Sequence, residues 1–222
     1  MFPDFYRGII VVNGITNHPS LKRVKKNLKK AMDSHGNVDI KNDERLLAWD
    51  QAHQKFGSNP GKFPPSIKSL LKRIQKNPAL PYINSVVALF NLISIKYCLP
   101  CGGDNMKKVE GDFILGLAKG TESFVALGSD KEESPKKGEV IYVDGHNDNV
   151  MCRRWNWRNG DITKIETSTQ QILINIDCLP PQSRQVAIEA RDELADLLQQ
   201  HCNATLFTGE LHGDSREVEL DI

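Results

Sequence analysis

Apolar positions recur along this chain in two rhythms, one of period two and one of helical spacing. Residues 5–12, from Phe5 to Val12, are almost continuously β-branched or aromatic and predict a buried strand ending at Asn13-Gly14. From Leu21 the spacing turns helical. Leu21, Val24, Leu28 and Ala31 share a face of a helix capped by Ser20, running to about Met32 and stopped by His35-Gly36. Phe56 to Pro65 is a Gly/Pro/Asn-rich loop. Ser66 opens a second amphipathic helix, with Ile67, Leu70, Leu71 and Ile74 inward and Lys68, Lys72, Arg73 and Lys76 outward; Asn77-Pro78 breaks it. A third helix, capped by Asn84 and running through Tyr97, is apolar on nearly every side and belongs in an interior.

Beyond Gly111 the pattern predicts short strands at Phe113–Leu117, Ser123–Leu127, Glu139–Val143, Asn149–Arg153 and Gln171–Ile176. Lys131 to Gly138 is a charged surface loop. A last helix, Arg184–His201, turns Val186, Ala190, Leu194, Leu197 and Leu198 inward. A short strand at Ala204–Phe207 follows, and the acidic tail after Gly209 is expected to fray. Helices preceding a run of strands argue an α+β fold in one composite domain, residues 1–222.

Composition narrows this little, but charge changes it. No apolar run reaches membrane-spanning length, and the N-terminus lacks the basic start of a signal peptide. Five cysteines at irregular spacing do not read as a disulfide framework, so a cytoplasmic location is expected. The net charge of +1 conceals an asymmetry: residues 1–110 hold 18 Lys/Arg against 8 Asp/Glu, and residues 111–222 hold 11 against 20. Two readings stand together. The basic half attracts phosphate backbones, or the two halves form solvated faces that attract one another.

Several constellations could carry chemistry. Cys98 and Cys101 follow an apolar helix rather than opening one, and no second pair completes four zinc ligands, so a tight turn is the better reading. Asp144, His146 and Asp148 alternate as hard-cation ligands would, yet Asp, Asn and Gly are also what a hairpin turn requires, and the turn is favoured. Arg153-Arg154-Trp155-Asn156-Trp157-Arg158 sets guanidinium donors beside stacking surfaces. Alternation along a strand would send Arg154, Asn156 and Arg158 to one face and both tryptophans to the other. A tryptophan pair in the core, with arginines in water or ion pairs, explains the same segment equally well. Asn91 places an amide in the apolar third helix, where it needs hydrogen bonds. No Ser/His/Asp set, Gly-rich phosphate loop or two-histidine metal helix is present.

Ile83-Asn84-Ser85-Val86-Val87, then Asn91, then Leu99-Pro100, resemble the first helix and following turn of the B3/B4 editing domain of the phenylalanyl-tRNA synthetase beta subunit. Tyr142-Val143-Asp144 with Val150-Met151, Gly160-Asp161, Thr169 and Ile172-Leu173 continue the likeness in order over residues 78–177. Stand-alone members of that family are more similar still, at Asn91-Leu92, Gly103-Asp104, Gly111-Asp112, Gly138-Glu139-Val140, Cys152 to Arg158 and Thr163.

The resemblance implies a B3/B4-type fold, with mixed β-sheets or a partial barrel and helices packed on it. It divides the chain into a basic part (1–77), the core (78–177) and a C-terminal helix and tail (178–222). It implies a trans-acting hydrolase of the aminoacyl-tRNA ester, acting at the aminoacylated 3′ end of transfer RNA. A non-catalytic tRNA- or RNA-binding module and an amino-acid-like small-molecule binder are the alternatives. The family's histidine near the ester falls at Gly102 and its tyrosine-recognising glutamate at the shorter Asp161, so tyrosine specificity is not carried over. Asn91, Gly102, Gly103, Asp104 and Asp161 are the catalytic candidates. Arg153, Arg154, Trp155, Asn156, Trp157, Arg158 and Thr163 are the substrate-binding ones. Lys25, Lys26, Lys29 and Lys30, with the basic side of the helix after Ser66, would receive the transfer RNA body. No cofactor, metal, membrane or DNA is expected.

Overall fold

Strand β1 (Tyr6–Asn13) buries every residue from Tyr6 to Val12, as its unbroken apolar run requires. It belongs to a computed structural model that describes residues 2–77 and 79–220. The chain continues through α1 (Lys22–His35), α2 (Glu44–Lys55), α3 (Ser66–Lys76) and α4 (Ser85–Tyr97). Next come β2 (Cys101–Asn105), β3 (Phe113–Leu117), β4 (Phe124–Val125), β5 (Glu132–Glu133), β6 (Val140–Asp144) and β7 (Val150–Arg153). Strands β8 (Arg158–Asn159) and β9 (Gln171–Cys178), helix α5 (Arg184–Cys202) and strand β10 (Thr205–Leu211) complete the order. The class is α+β, and the chain divides into two compact units.

The first unit comprises Met1–Ala48, Ile67–Gly103 and Ile165–Ile222. Its sheet runs in the order β10-β1-β9-β2, with β1 antiparallel to both β9 and β10. Ile172, Ile174 and Ile176, at period two on β9, share one core with Leu89 and Ile93 of α4 and Ala187, Ala190, Leu194 and Leu198 of α5. Helix α4 is buried nearly all round, as its composition predicts. Asn84 caps it by accepting the Val87 N–H at 2.9 Å, and Cys98 closes it in the left-handed conformation at φ 56°. Across β1 and β9, Arg7 meets Asp177 in a buried bidentate pair at 2.7 and 3.0 Å.

Helix α1 differs from its sequence reading at its start and ends at the expected His35-Gly36 stop. Ser20 does not cap it: Leu21 holds the cap position without a side-chain hydrogen bond. The helix runs a turn past Met32, to His35, where the Gly36 N–H reaches the Met32 carbonyl at 2.9 Å. Asn77 follows α3, whereas Pro78, named with it as the breaker, lies outside the described residues. Strand β10 carries regular structure past Gly209 to Leu211; of the acidic tail beyond, Asp221 and Ile222 lie outside the described residues.

The second unit comprises Trp49–Ser66 and Asp104–Lys164. Its main sheet runs β3-β6-β7-β8, and β4 pairs with β5 inside the loop expected at Lys131–Gly138. Ala118, Phe124, Ile141, Val143 and Val150 form its core. Buried carboxylates tie down the loops. Asp144 accepts the N–H groups of Glu110, Gly111 and His146 at 2.8 to 2.9 Å, which makes 144–148 a backbone-satisfied turn. Burial would raise its carboxyl, but those bonds win and hold it below its usual range.

Candidate functional site

In the first unit, Asn91 stands half-buried on α4 between buried Phe90 and Leu92. No hydrogen bond engages its side chain among the described residues. The two glycines of β2 differ sharply. A Cβ at Gly103 would lie 2.9 Å from the Leu173 carbonyl oxygen and 3.1 Å from Phe90 Cζ, whereas one at Gly102 would meet nothing within 4 Å. Gly103 therefore lets β2 approach β9 and α4 closely, and Gly102 borders open space.

Lys25, Lys26, Lys29 and Lys30 are all exposed on α1, opposite buried Val24, Leu28, Ala31 and Met32. Lys25 Nζ lies 4.8 Å from the Tyr82 ring centre, and Lys29 makes only a solvated pair with Asp33 at 3.2 Å. Helix α3 exposes Lys72, Arg73 and Lys76. It is fastened to the end of α1 by Gln75, which donates to the carbonyls of Gly36 and Val38 at 3.1 and 2.7 Å.

In the second unit, Thr163 and Asp104 come together. Both are buried, the Thr163 hydroxyl donates to Asp104 Oδ1 at 2.5 Å, and the Asn105 N–H donates to the Thr163 carbonyl at 2.9 Å. Asp161 is half-exposed. It accepts the Gly128 N–H at 3.0 Å and pairs with Lys164 at 3.0 Å, and in that order these hold its carboxyl below the usual range.

The Arg–Trp segment is not a continuous strand. β7 ends at Arg153, residues 154–157 form a tight turn, and β8 begins at Arg158. Arg154 at φ 49° and Trp155 at φ 66° adopt a left-handed backbone that no strand contains, so the expected alternation of faces is lost. Arg153 is buried in a bidentate pair with Glu139, both bonds at 2.9 Å, and reaches Glu133 at 3.0 Å. Trp155 is buried edge-on against Trp49 at 5.2 Å, and Trp157 meets Phe63 at 4.8 Å. Arg154 and Asn156 are buried as well; Arg158 alone of the six is exposed.

With this geometry in place, the sequence profile of the B3/4 domain matches residues 48–203. The chain belongs to the B3/4 domain family. It is similar in structure to an N-terminal fragment of the phenylalanyl-tRNA synthetase beta-subunit from Pyrococcus horikoshii, with 12% identity and a TM-score of 0.44. That likeness covers 92% of this chain and 49% of the fragment, so the chain spans about half the fragment's length. Comparison with curated proteins gave no match.

Within the B3/4 span, sequence reasoning missed His53, Ser58 and Phe63, and it named Glu139 only as a strand end and for its likeness to the family, without its pairing to Arg153. His53 is fully buried, with Nε2 3.2 Å from Asn156 Oδ1. Burial pushes its imidazole down to about 4 against the pull of the Asn156 bond, so it is neutral at pH 7. The missed helix α2 had a signal. Asp43 accepts the N–H groups of Arg45 and Leu46 at 3.0 and 3.4 Å, and Leu46, Trp49 and His53 follow at buried helical spacing.

Proposed function

We propose that this B3/4 protein hydrolyses the ester joining a wrongly attached amino acid to transfer RNA, acting in trans. The observation that carries the reading is the family match over residues 48–203, which takes in Asn91, Gly102, Gly103, Asp104 and Asp161. An aminoacyl ester is already an activated acyl group. Its hydrolysis needs a positioned water and donors for the developing oxyanion rather than a strong nucleophile. In this reading the unengaged Asn91 amide and the Gly102–Gly103 backbone are the candidate donors to the oxyanion, and Asp104 and Asp161 are the candidate carboxylates. The neighbouring ribose hydroxyl moves protons in place of the absent histidine. The exposed cations of α1 and α3 support attraction for a phosphate backbone.

The test is release of amino acid from a panel of mischarged transfer RNAs. Asn91→Ala is expected to lower kcat by about 10²-fold, the size of one lost oxyanion donor, and Asp161→Ala to change which amino acid is released. A parent that releases nothing from any of them ends the reading. One observation favours a second reading: the Asp161 carboxylate is already engaged by Gly128 and Lys164. A non-catalytic RNA-binding module predicts salt-sensitive binding that survives Asp161→Ala, without turnover.

A further inference from the structure

Three features of the second unit meet at the 154–157 turn, and none is needed for the chemistry above. The first is stacking: the Arg154 guanidinium carbon lies 3.8 Å from the centre of the Phe63 ring, with Trp157 edge-on to that ring at 4.8 Å. The second is unmet hydrogen bonding. Arg154 Nε, Asn156 Nδ2 and Ser58 Oγ are buried without a partner, on residues only 7%, 8% and 3% exposed. All three can donate, and buried polar groups in native proteins are almost always satisfied. Glu139 does not meet the need: its short bonds go to Arg153, it accepts the Arg154 backbone N–H at 3.2 Å, and it reaches the guanidinium of Arg154 only at Nη2, at 3.5 Å. The third is backbone strain. Two successive non-glycine residues, one a tryptophan, are left-handed here, a condition that clusters at ligand clamps.

We propose that this turn is a clamp for one unpaired RNA nucleotide, and that Phe63 occupies the place of its base. Nucleobases stack on arginine guanidiniums, and Arg154 already lies over an aromatic ring here; a nucleotide's phosphate, ribose and carbonyl oxygens are acceptors for the three orphaned donors. Phe63 sits on the Gly/Pro/Asn-rich segment between α2 and α3, so the ring can leave without breaking a helix or strand. The loop is a cover that an incoming base displaces. The proposal rests on the transfer RNA reading only for the identity of the RNA.

The full chain is titrated with a short single-stranded RNA oligonucleotide and with a duplex of the same sequence, following tryptophan emission. Phe63→Ala is expected to bind the single strand about tenfold more tightly than the parent, the scale of one base stack. Adding Arg154→Lys, which keeps the charge but not the plane, cancels that gain. If Phe63→Ala does not fold, Phe63→Leu keeps apolar bulk without an aromatic face and carries the same expectation. A folded variant with unchanged or weaker affinity, a gain that survives Arg154→Lys, or equal tightening on the duplex overturns the clamp. So does a site that takes free tyrosine or phenylalanine but no RNA. Absence of amino acid release would end the deacylase reading and leave these binding outcomes intact; release without a Phe63 effect on binding would end the clamp alone.

Discussion

The Thr163 hydroxyl donates to Asp104 Oδ1 across 2.5 Å, with both side chains buried. Thr163→Val keeps the shape and removes the donor, stripping a buried carboxylate of a short bond. Destabilisation of about 1–3 kcal/mol is expected, read as a lower urea midpoint at constant slope. Thr163→Ser should recover most of it. Equal midpoints for parent and Thr163→Val would show that Asp104 is held by its other contacts.

The two glycines of β2 separate packing from chemistry. Gly103→Ala forces a methyl against the Leu173 carbonyl and Phe90 and should cost about 1–3 kcal/mol. Gly102→His extends into open space, and its thermal midpoint should stay close to the parent's. If the ester reading holds, this imidazole at the family's histidine position raises amino acid release. A large loss of stability in Gly102→His would contradict the open surroundings described for that position.

Elements fixed by local chemistry were legible in the sequence. Asn84 caps α4 through its own side chain, and β3 covers the predicted Phe113–Leu117. The 154–157 turn was not legible, because Arg-Trp-Asn-Trp-Arg alternates as a strand does while its shape is set from a distance. The Trp155 N–H reaches the Val140 carbonyl at 2.7 Å, the Ser66 N–H reaches the Asn156 carbonyl at 3.0 Å, and Glu139 takes Arg153. Of the site, Asp104 and Thr163 were named for their likeness to family positions, and only the fold brings one against the other. Phe63 and His53 gave no sequence sign of a site, since a loop phenylalanine and a helical histidine are ordinary until their neighbours are known.

His53 makes stability depend on pH with a definite sign. Its folded pKa of about 4 lies below the usual 6.5, so the unfolded chain binds the extra proton first. The contribution is fully present above about pH 6.5 and is lost progressively as pH falls towards 4, by up to about 3 kcal/mol for a shift of this size. Urea melts at pH 7.5 and pH 5 should show that loss in the parent. His53→Gln, which can still reach Asn156 but does not titrate, should flatten the difference. A pH dependence that is the same in both proteins would assign it elsewhere.

The exposed lysines of α1 allow affinity to be changed without touching the fold. Lys25, Lys26, Lys29 and Lys30 lie opposite the buried face of the helix, and the only ion pair among them is solvated. Reversing them to Glu should therefore leave the thermal midpoint within a degree or two. If α1 meets a phosphate backbone, the same change weakens transfer RNA binding at low salt and flattens the plot of log affinity against log salt, by about 0.7–0.9 for each phosphate contact removed. The slope is the diagnostic quantity, because a merely misfolded variant loses affinity without losing its salt dependence in that proportion. Should affinity and slope both match the parent's, the cations of α1 lie outside the RNA footprint, and α3, with exposed Lys72, Arg73 and Lys76, becomes the surface to reverse next.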